Sequence, residues 1–300
     1  MEKTLQLKTV KEYNDYMGVE TRHPLVNVIE GSKMPHPVYH ARKHVGMYIV
    51  FLKDLKCTDN LKYGRRSYDF QENTLVFIAP GQVFGQEADG STFKGSGWCL
   101  VFHPELLHGT SLNRHMQEYT FFSYAVNEAL HLSEQERESI IDCMVRINTE
   151  IDNSFDKHSN QIIISAIELL LNYCVRFYDR QFVTRKNENK DTLITFEALL
   201  NDYFISDKPA QFGTPTVSWC AEQLHLSANY FGDLIKKETG ASAQEYILTK
   251  TMDIAKEWLA DPAKSISDVA YALGYQYPQY FSRAFKRVVG CPPNKYRALD

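Results

Sequence analysis

Cysteine spacing that could hold zinc or build a disulfide frame is absent from this sequence. Its six cysteines, Cys57, Cys99, Cys143, Cys174, Cys220 and Cys291, are scattered, with no C-x-x-C pair. This spacing gives poor support to structural zinc and disulfide scaffolds, and reduced cytosolic thiols are expected. No H-x-H pair occurs. His36, His40 and His44 are spaced by four, which aligns side chains only on a helix, and Pro35 and Pro37 disfavour one there. Charge of one sign is also lacking, since 33 Lys and Arg face 37 Asp and Glu for a net of -4. Nothing global therefore announces a nucleic-acid partner. The N-terminus, MEKTLQLKTVKEYND, has no apolar core, so no secretory signal is expected. The most apolar run, IIISAIELLLNYCVRF, is interrupted by Ser165, Glu168, Asn172 and Arg176. It is expected to be a buried helix rather than a membrane span, and the protein to be cytoplasmic.

What is present falls into two styles. From Leu25 to Phe102 short runs rich in β-branched and aromatic residues alternate with turns: VNVIE, MYIVFL, LKYGRRSYDF, TLVFIAP and GWCLVF. Regular spacing of this kind predicts an antiparallel sandwich or barrel. Tyr48, Phe51, Phe77 and Trp98 follow the strand period and are candidates for a pocket lining, with plain core the stronger expectation. Past residue 130 the period changes. Ser133 and Glu136 form a capping box, and Ile140, Met144, Ile147 and Ile151 recur at helical spacing behind it. A second helix is predicted over about 160–182. The stripe of the first either packs on the sheet or pairs with a second copy. VTRKNENKD, nearly free of large apolar residues, is expected to be an interdomain linker within 183–192. The domains are thus read as 1–182 and 193–300.

The last eighty residues contain a repeat. Ser218, Ala221 and Leu224 return as Ser267, Ala270 and Leu273 at an offset of 49. Tyr230, Phe231, Lys236, Gly240 and Tyr246 return as Tyr280, Phe281, Lys286, Gly290 and Tyr296 at an offset of 50, so the second copy has one extra residue in its turn. Each copy is predicted to be a helix-turn-helix, over 217–240 and 266–290. Thr216 and Ser227 are placed to cap the first pair, Ser242 and Glu245 to start a long helix, and Ser265 and Asp268 to start the second pair. Gly240 and Gly290 fit left-handed helix ends, and Pro278 fits a first helical position. Two such units joined by a helix can hold recognition helices about 34 Å apart, one turn of a duplex. Double-stranded DNA is the expected partner.

AEQLHLSANYFGDLIKKETG and, more specifically, DVAYALGYQYPQYFSRAFKRVVGCPPNKYR resemble the AraC/XylS family of transcription regulators. The resemblance covers Leu193 to Leu299. It implies a seven-helix domain with two helix-turn-helix units, base contacts near the start of each recognition helix, and recruitment of RNA polymerase. Many members place a cupin-like sensing and dimerising domain in front. The chain is accordingly expected to be α+β: an N-terminal cupin-like antiparallel β-barrel with a helical dimerisation segment, then an all-α DNA-binding domain. A small-molecule effector of unknown identity and a homodimer are implied, with no cofactor or metal.

By position, the resemblance offers Asn229, Gly232, Asp233 and Lys236 in the first unit, and Tyr277, Gln279, Ser282, Arg283 and Lys286 in the second. Arg283 suits guanine O6 and N7, and Gln279 adenine. Lys286, Arg287, Lys295 and Arg297 are expected to neutralise phosphates, with a structural role in the C-terminal turn as the alternative for Arg297. From Val217 to Ala260 four Lys stand against six Asp and Glu, whereas from Ile266 to Asp300 five Lys and Arg stand against two Asp. The second unit is therefore expected to supply most of the attraction. A cupin-type metalloenzyme fused to a DNA-binding domain would need the H-x-H grip that is missing, and a ligand-independent activator would need no pocket.

Overall fold

The computed structural model describes residues 4–53, 73–85, 90–93, 95–125, 128–153 and 156–298, with 186–188 described by their backbone. The chain forms two compact units, Met1–Thr184 and Arg185–Asp300.

In the first unit the order is β1 (Leu5–Leu7), α1 (Val10–Met17), β2 (Val26–Glu30), β3 (Val38–Tyr39), β4 (Lys43–Val45), β5 (Tyr48–Lys53), β6 (Thr74–Ile78), β7 (Val83–Phe84), β8 (Thr92–Phe93) and β9 (Gly97–Phe102). There follow α2 (Ser111–His115), β10 (Leu130–His131), α3 (Glu134–Asp152) and α4 (Ser159–Thr184). VNVIE and GWCLVF are strands over their whole lengths, paired antiparallel with Val28 opposite Leu100. The run LKYGRRSYDF and Cys57 lie outside the described residues.

The central sheet has the order β10-β6-β5-β9-β2. β4 pairs antiparallel with β7 and parallel with β1, so the sheet structure is not wholly antiparallel. Strand alternation sends Ile29, Ile49, Ile78 and Val101 into one core, which α1 closes with Val10, Tyr13 and Met17. On the other face Tyr48 stacks on Phe102 at 5.1 Å and Phe77 lies 4.3 Å from the ring of Phe121. Phe51 packs with the first core instead, so the four aromatics proposed for a pocket do not converge. Trp98 lines a separate cleft with Arg22 and Asp152.

The capping box of Ser133 and Glu136 opens α3. Ile140, Met144, Ile147 and Ile151 are buried, and α3 packs on α4 and β2, so this stripe is consumed inside the subunit. α4 is long and apolar enough to cross a membrane by length and composition, but Ile167, Leu170, Leu171 and Cys174 are wholly buried in the protein core.

The second unit is helical: α5 (Lys186–Ile205), α6 (Lys208–Phe212), α7 (Val217–Gln223), α8 (Ala228–Thr239), α9 (Ala243–Leu259), α10 (Ile266–Ala272), α11 (Pro278–Val289) and α12 (Pro293–Arg297). The segment 183–192, expected as a linker, is helical on both sides of Arg185, with α4 ending at Thr184 and α5 beginning at Lys186. The absence of Gly and Pro leaves nothing to stop a helix, and Asn189 is buried where its amide donates to Glu238 at 3.2 Å.

Candidate nucleic-acid interface

Local chemistry sets the two helix pairs. The hydroxyl of Thr216 accepts from the Trp219 N–H at 3.1 Å to start α7, and that of Ser227 from Tyr230 at 3.2 Å to start α8. Gly240, at φ 77°, ends α8, and Gly290, at φ 89°, ends α11. Ser242 with Glu245 and Ser265 with Asp268 form full capping boxes at α9 and α10. Their carboxyls are held below the usual range, chiefly by hydrogen bonds from the serine hydroxyls. The turn between α7 and α8 runs from Leu224 to Ser227, and that between α10 and α11 from Leu273 to Tyr277, so the second is longer by one residue. Both turns use a left-handed residue at the matching position, His225 at φ 59° and Gly274 at φ 89°.

Packing then orients the recognition helices α8 and α11. In the first unit Phe231 is fully buried and meets Phe196 of α5 edge-on at 4.9 Å. In the second, Phe281 and Phe285 are fully buried with Val269, Ala270 and Leu273. Buried Ala221 and Ala270 are the small residues where each unit's helices meet. α9 packs against members of both units, which ties them into one body of structure. At its middle Thr251 is buried and donates to the Ile247 carbonyl at 2.7 Å. Beside it Lys250 lies 3.3 Å from the Glu197 carboxylate, which also accepts from Tyr246 Oη. Burial and this carboxylate together push the Tyr246 phenol well up.

The candidate contact residues separate clearly. On α11 and its cap, Tyr277, Gln279, Arg283, Lys286 and Arg287 are exposed and Ser282 is half-buried. Gln279, Arg283, Lys286 and Arg287 lie on the surface opposite Phe281 and Phe285. On α8, Asn229 and Lys236 are exposed, while Gly232 and Asp233 are half-buried. Lys236 and the pair Lys286–Arg287 stand in the last turns of their helices, where they also offset the helix dipole. Arg297 is placed differently from the exposed cations of α11. It is half-buried, and its Nε donates to the Leu259 carbonyl at 3.0 Å, satisfying a free acceptor at the end of α9. Lys295 is exposed on α12.

One residue escaped the sequence reading. Tyr280 aligns with Tyr230, yet Tyr230 is 6% exposed and Tyr280 53%. Four residues on, Tyr230 has buried Leu234 beside it, whereas Tyr280 has only Ala284. That difference in the apolar stripe was present in the sequence. Among the described residues no group of three His, Cys, Asp or Glu is placed to hold a metal. Cys99, Cys143, Cys174 and Cys220 are buried free thiols.

Known proteins agree with this geometry over the same segment. Residues 220–299 match the model of a helix-turn-helix domain family. An uncharacterized HTH-type transcriptional regulator of Bacillus subtilis, YtdP, is 38% identical over 82 residues, 27% of this chain and 11% of that protein. The probable transcriptional regulator LumQ of Photobacterium leiognathi is 25% identical over 146 residues, 49% of this chain and 54% of its own. The melibiose operon regulatory protein of Escherichia coli K12 is 30% identical over 85 residues, 28% of each chain. The chain thus spans between about a tenth and about half of these relatives. The paired helix-turn-helix units thus fall in a segment that matches a helix-turn-helix domain family and is similar to AraC-type regulators.

Proposed function

We propose that this protein is a sequence-specific DNA-binding regulator of transcription, an activator, and not an enzyme. The observation that supports it is the exposed face of α11, where Gln279, Arg283, Lys286 and Arg287 stand together over a fully buried Phe281–Phe285 seam. Arg283 grips guanine, Gln279 reads adenine, and Lys286, Arg287 and Lys295 neutralise phosphates. Asn229, Asp233 and Lys236 make the weaker contacts of the first unit, since an aspartate repels phosphate.

The unit before Thr184 acts as a cupin-like sensing and dimerising domain that binds a small-molecule effector. Dimerisation uses α4 rather than α3, whose stripe is spent within the subunit. Ile162, Leu169 and Val183 lie at seven- and fourteen-residue intervals on α4 and are 48%, 44% and 71% exposed. Joining two subunits raises avidity on paired sites without a new contact. Effector occupancy changes how the two DNA-binding domains are placed, and with it the recruitment of RNA polymerase in the cytoplasm.

Selection of fragmented genomic DNA with the full chain, followed by footprinting, tests the reading. A recurrent protected sequence with contacts in successive major grooves is expected. Binding that shows no preference among fragments at physiological salt overturns it.

A further inference from the structure

We propose that Tyr277 and Tyr280 form an aromatic platform that recognises thymine methyl groups in the major groove, weighting the second unit toward A·T steps. This rests on the DNA-binding reading of α11. The two rings sit at the cap and the first turn of that helix, 54% and 53% exposed, and meet edge-on with centroids 5.7 Å apart. Residues at the start of a recognition helix are the ones that reach base edges. Thymine's C5 methyl is the apolar mark that the major groove displays, and apolar side chains read it.

Comparison of the two repeats argues that these rings are kept outside for a partner. Position 227 is a serine whose hydroxyl caps α8, whereas its counterpart, Tyr277, makes no side-chain cap bond. Pro278 has no N–H to satisfy, which lessens the cost of a tyrosine at the cap. Tyr230 is core, whereas Tyr280 has left the core to Phe281 and Phe285. No large hydrophobic residue between 217 and 240 is exposed among the described residues, while Tyr277 and Tyr280 are exposed and in ring contact. Apolar surface grouped in this way marks a contact site. Arg283, one helical turn from Gln279, stands on the same exposed face and supplies the polar reading beside it.

The test uses the full chain and a DNA site obtained by selection, with each thymine in the protected region replaced singly by uracil, which removes only the methyl. Affinity of the unmodified protein should fall about three- to fivefold at one or two positions, the effect of one buried methyl. Tyr277→Ala and Tyr280→Ala should bind the uracil and thymine sites equally at those positions, and Tyr280→Phe should keep the discrimination. If the unmodified protein binds both sites equally, or a Y277A/Y280A double variant still discriminates, the platform is refuted while DNA binding stands. If no site can be selected at all, the DNA-binding reading falls with it.

Discussion

Gly274 and Gly213 touch backbone to backbone: a Cβ on Gly274 would lie 2.5 Å from the Gly213 carbonyl carbon. The turn of the second helix-turn-helix unit is thereby seated on the loop after α6, whose Gly213 carbonyl accepts from Tyr203 Oη at 2.9 Å. Gly274 is also left-handed, at φ 89°. Gly274→Ala should therefore destabilise the protein by roughly 2–4 kcal/mol, combining a left-handed penalty with overpacking. Urea unfolding reads this directly. A loss below about 0.5 kcal/mol would show that the turn can move away.

Arg283 and Lys236 should differ in what they do for DNA. Arg283→Ala is expected to weaken binding to a selected site by roughly 1–3 kcal/mol and to relax preference at one base pair. Lys286→Ala should weaken all sequences alike and lower the slope of log affinity against log salt by about 1. Lys236→Ala should do least. Unchanged affinity in Arg283→Ala beside abolished binding in Lys236→Ala would reverse the division of labour.

Arg297 docks on the end of α9 through the Leu259 carbonyl. Removing it leaves the Leu259 carbonyl without its donor, so Arg297→Ala should cost roughly 1–3 kcal/mol of stability. The salt slope of DNA binding should stay as it was. A slope lowered by about 1 with stability intact would return this residue to the phosphates.

Lys43 is 5% exposed, with its ammonium 4.9 Å from the Tyr16 ring centroid and 5.0 Å from that of Phe84. Burial lowers its pKa to about 8, against about 10.4 in an unfolded chain. Between those values the unfolded chain holds a proton that the folded one has released, so this group's contribution to stability rises with pH. Lys43→Met removes that dependence. The stability of the unmodified protein relative to the variant should increase by roughly 2–3 kcal/mol from pH 7 to pH 10. Cys99, pushed up to about 12 by burial, opposes the trend in both proteins. A difference flat with pH would show that Lys43 stays charged.

The exposed stripe of α4 gives the dimer reading a direct check. The full chain should sediment as a dimer at micromolar concentration. Leu169→Asp, at a side chain 44% exposed in the single chain, should shift it to monomer without lowering the monomer's own stability by more than about 0.5 kcal/mol. A full-length protein that stays monomeric contradicts the assignment.

The helix ends were legible residue by residue. Thr216, Ser227, Ser242 and Ser265 cap where their hydroxyls lie three residues before an amide, and Gly240 and Gly290 end helices through their own backbone freedom. The extra turn residue in the second unit was readable from the change of offset alone. Segment 183–192 holds the boundary between the two units and is nonetheless helical, because a polar composition without Gly or Pro suits a helix as well as a coil.

Capping, turn length and periodicity depend on atoms a few residues apart, so the amino-acid order was sufficient to place the paired units and their recognition helices. Burial of Lys43 and the docking of Arg297 on Leu259 depend on groups distant along the chain. Those were decided only when the elements packed, because exposure is a property of what covers a residue and not of the residue itself.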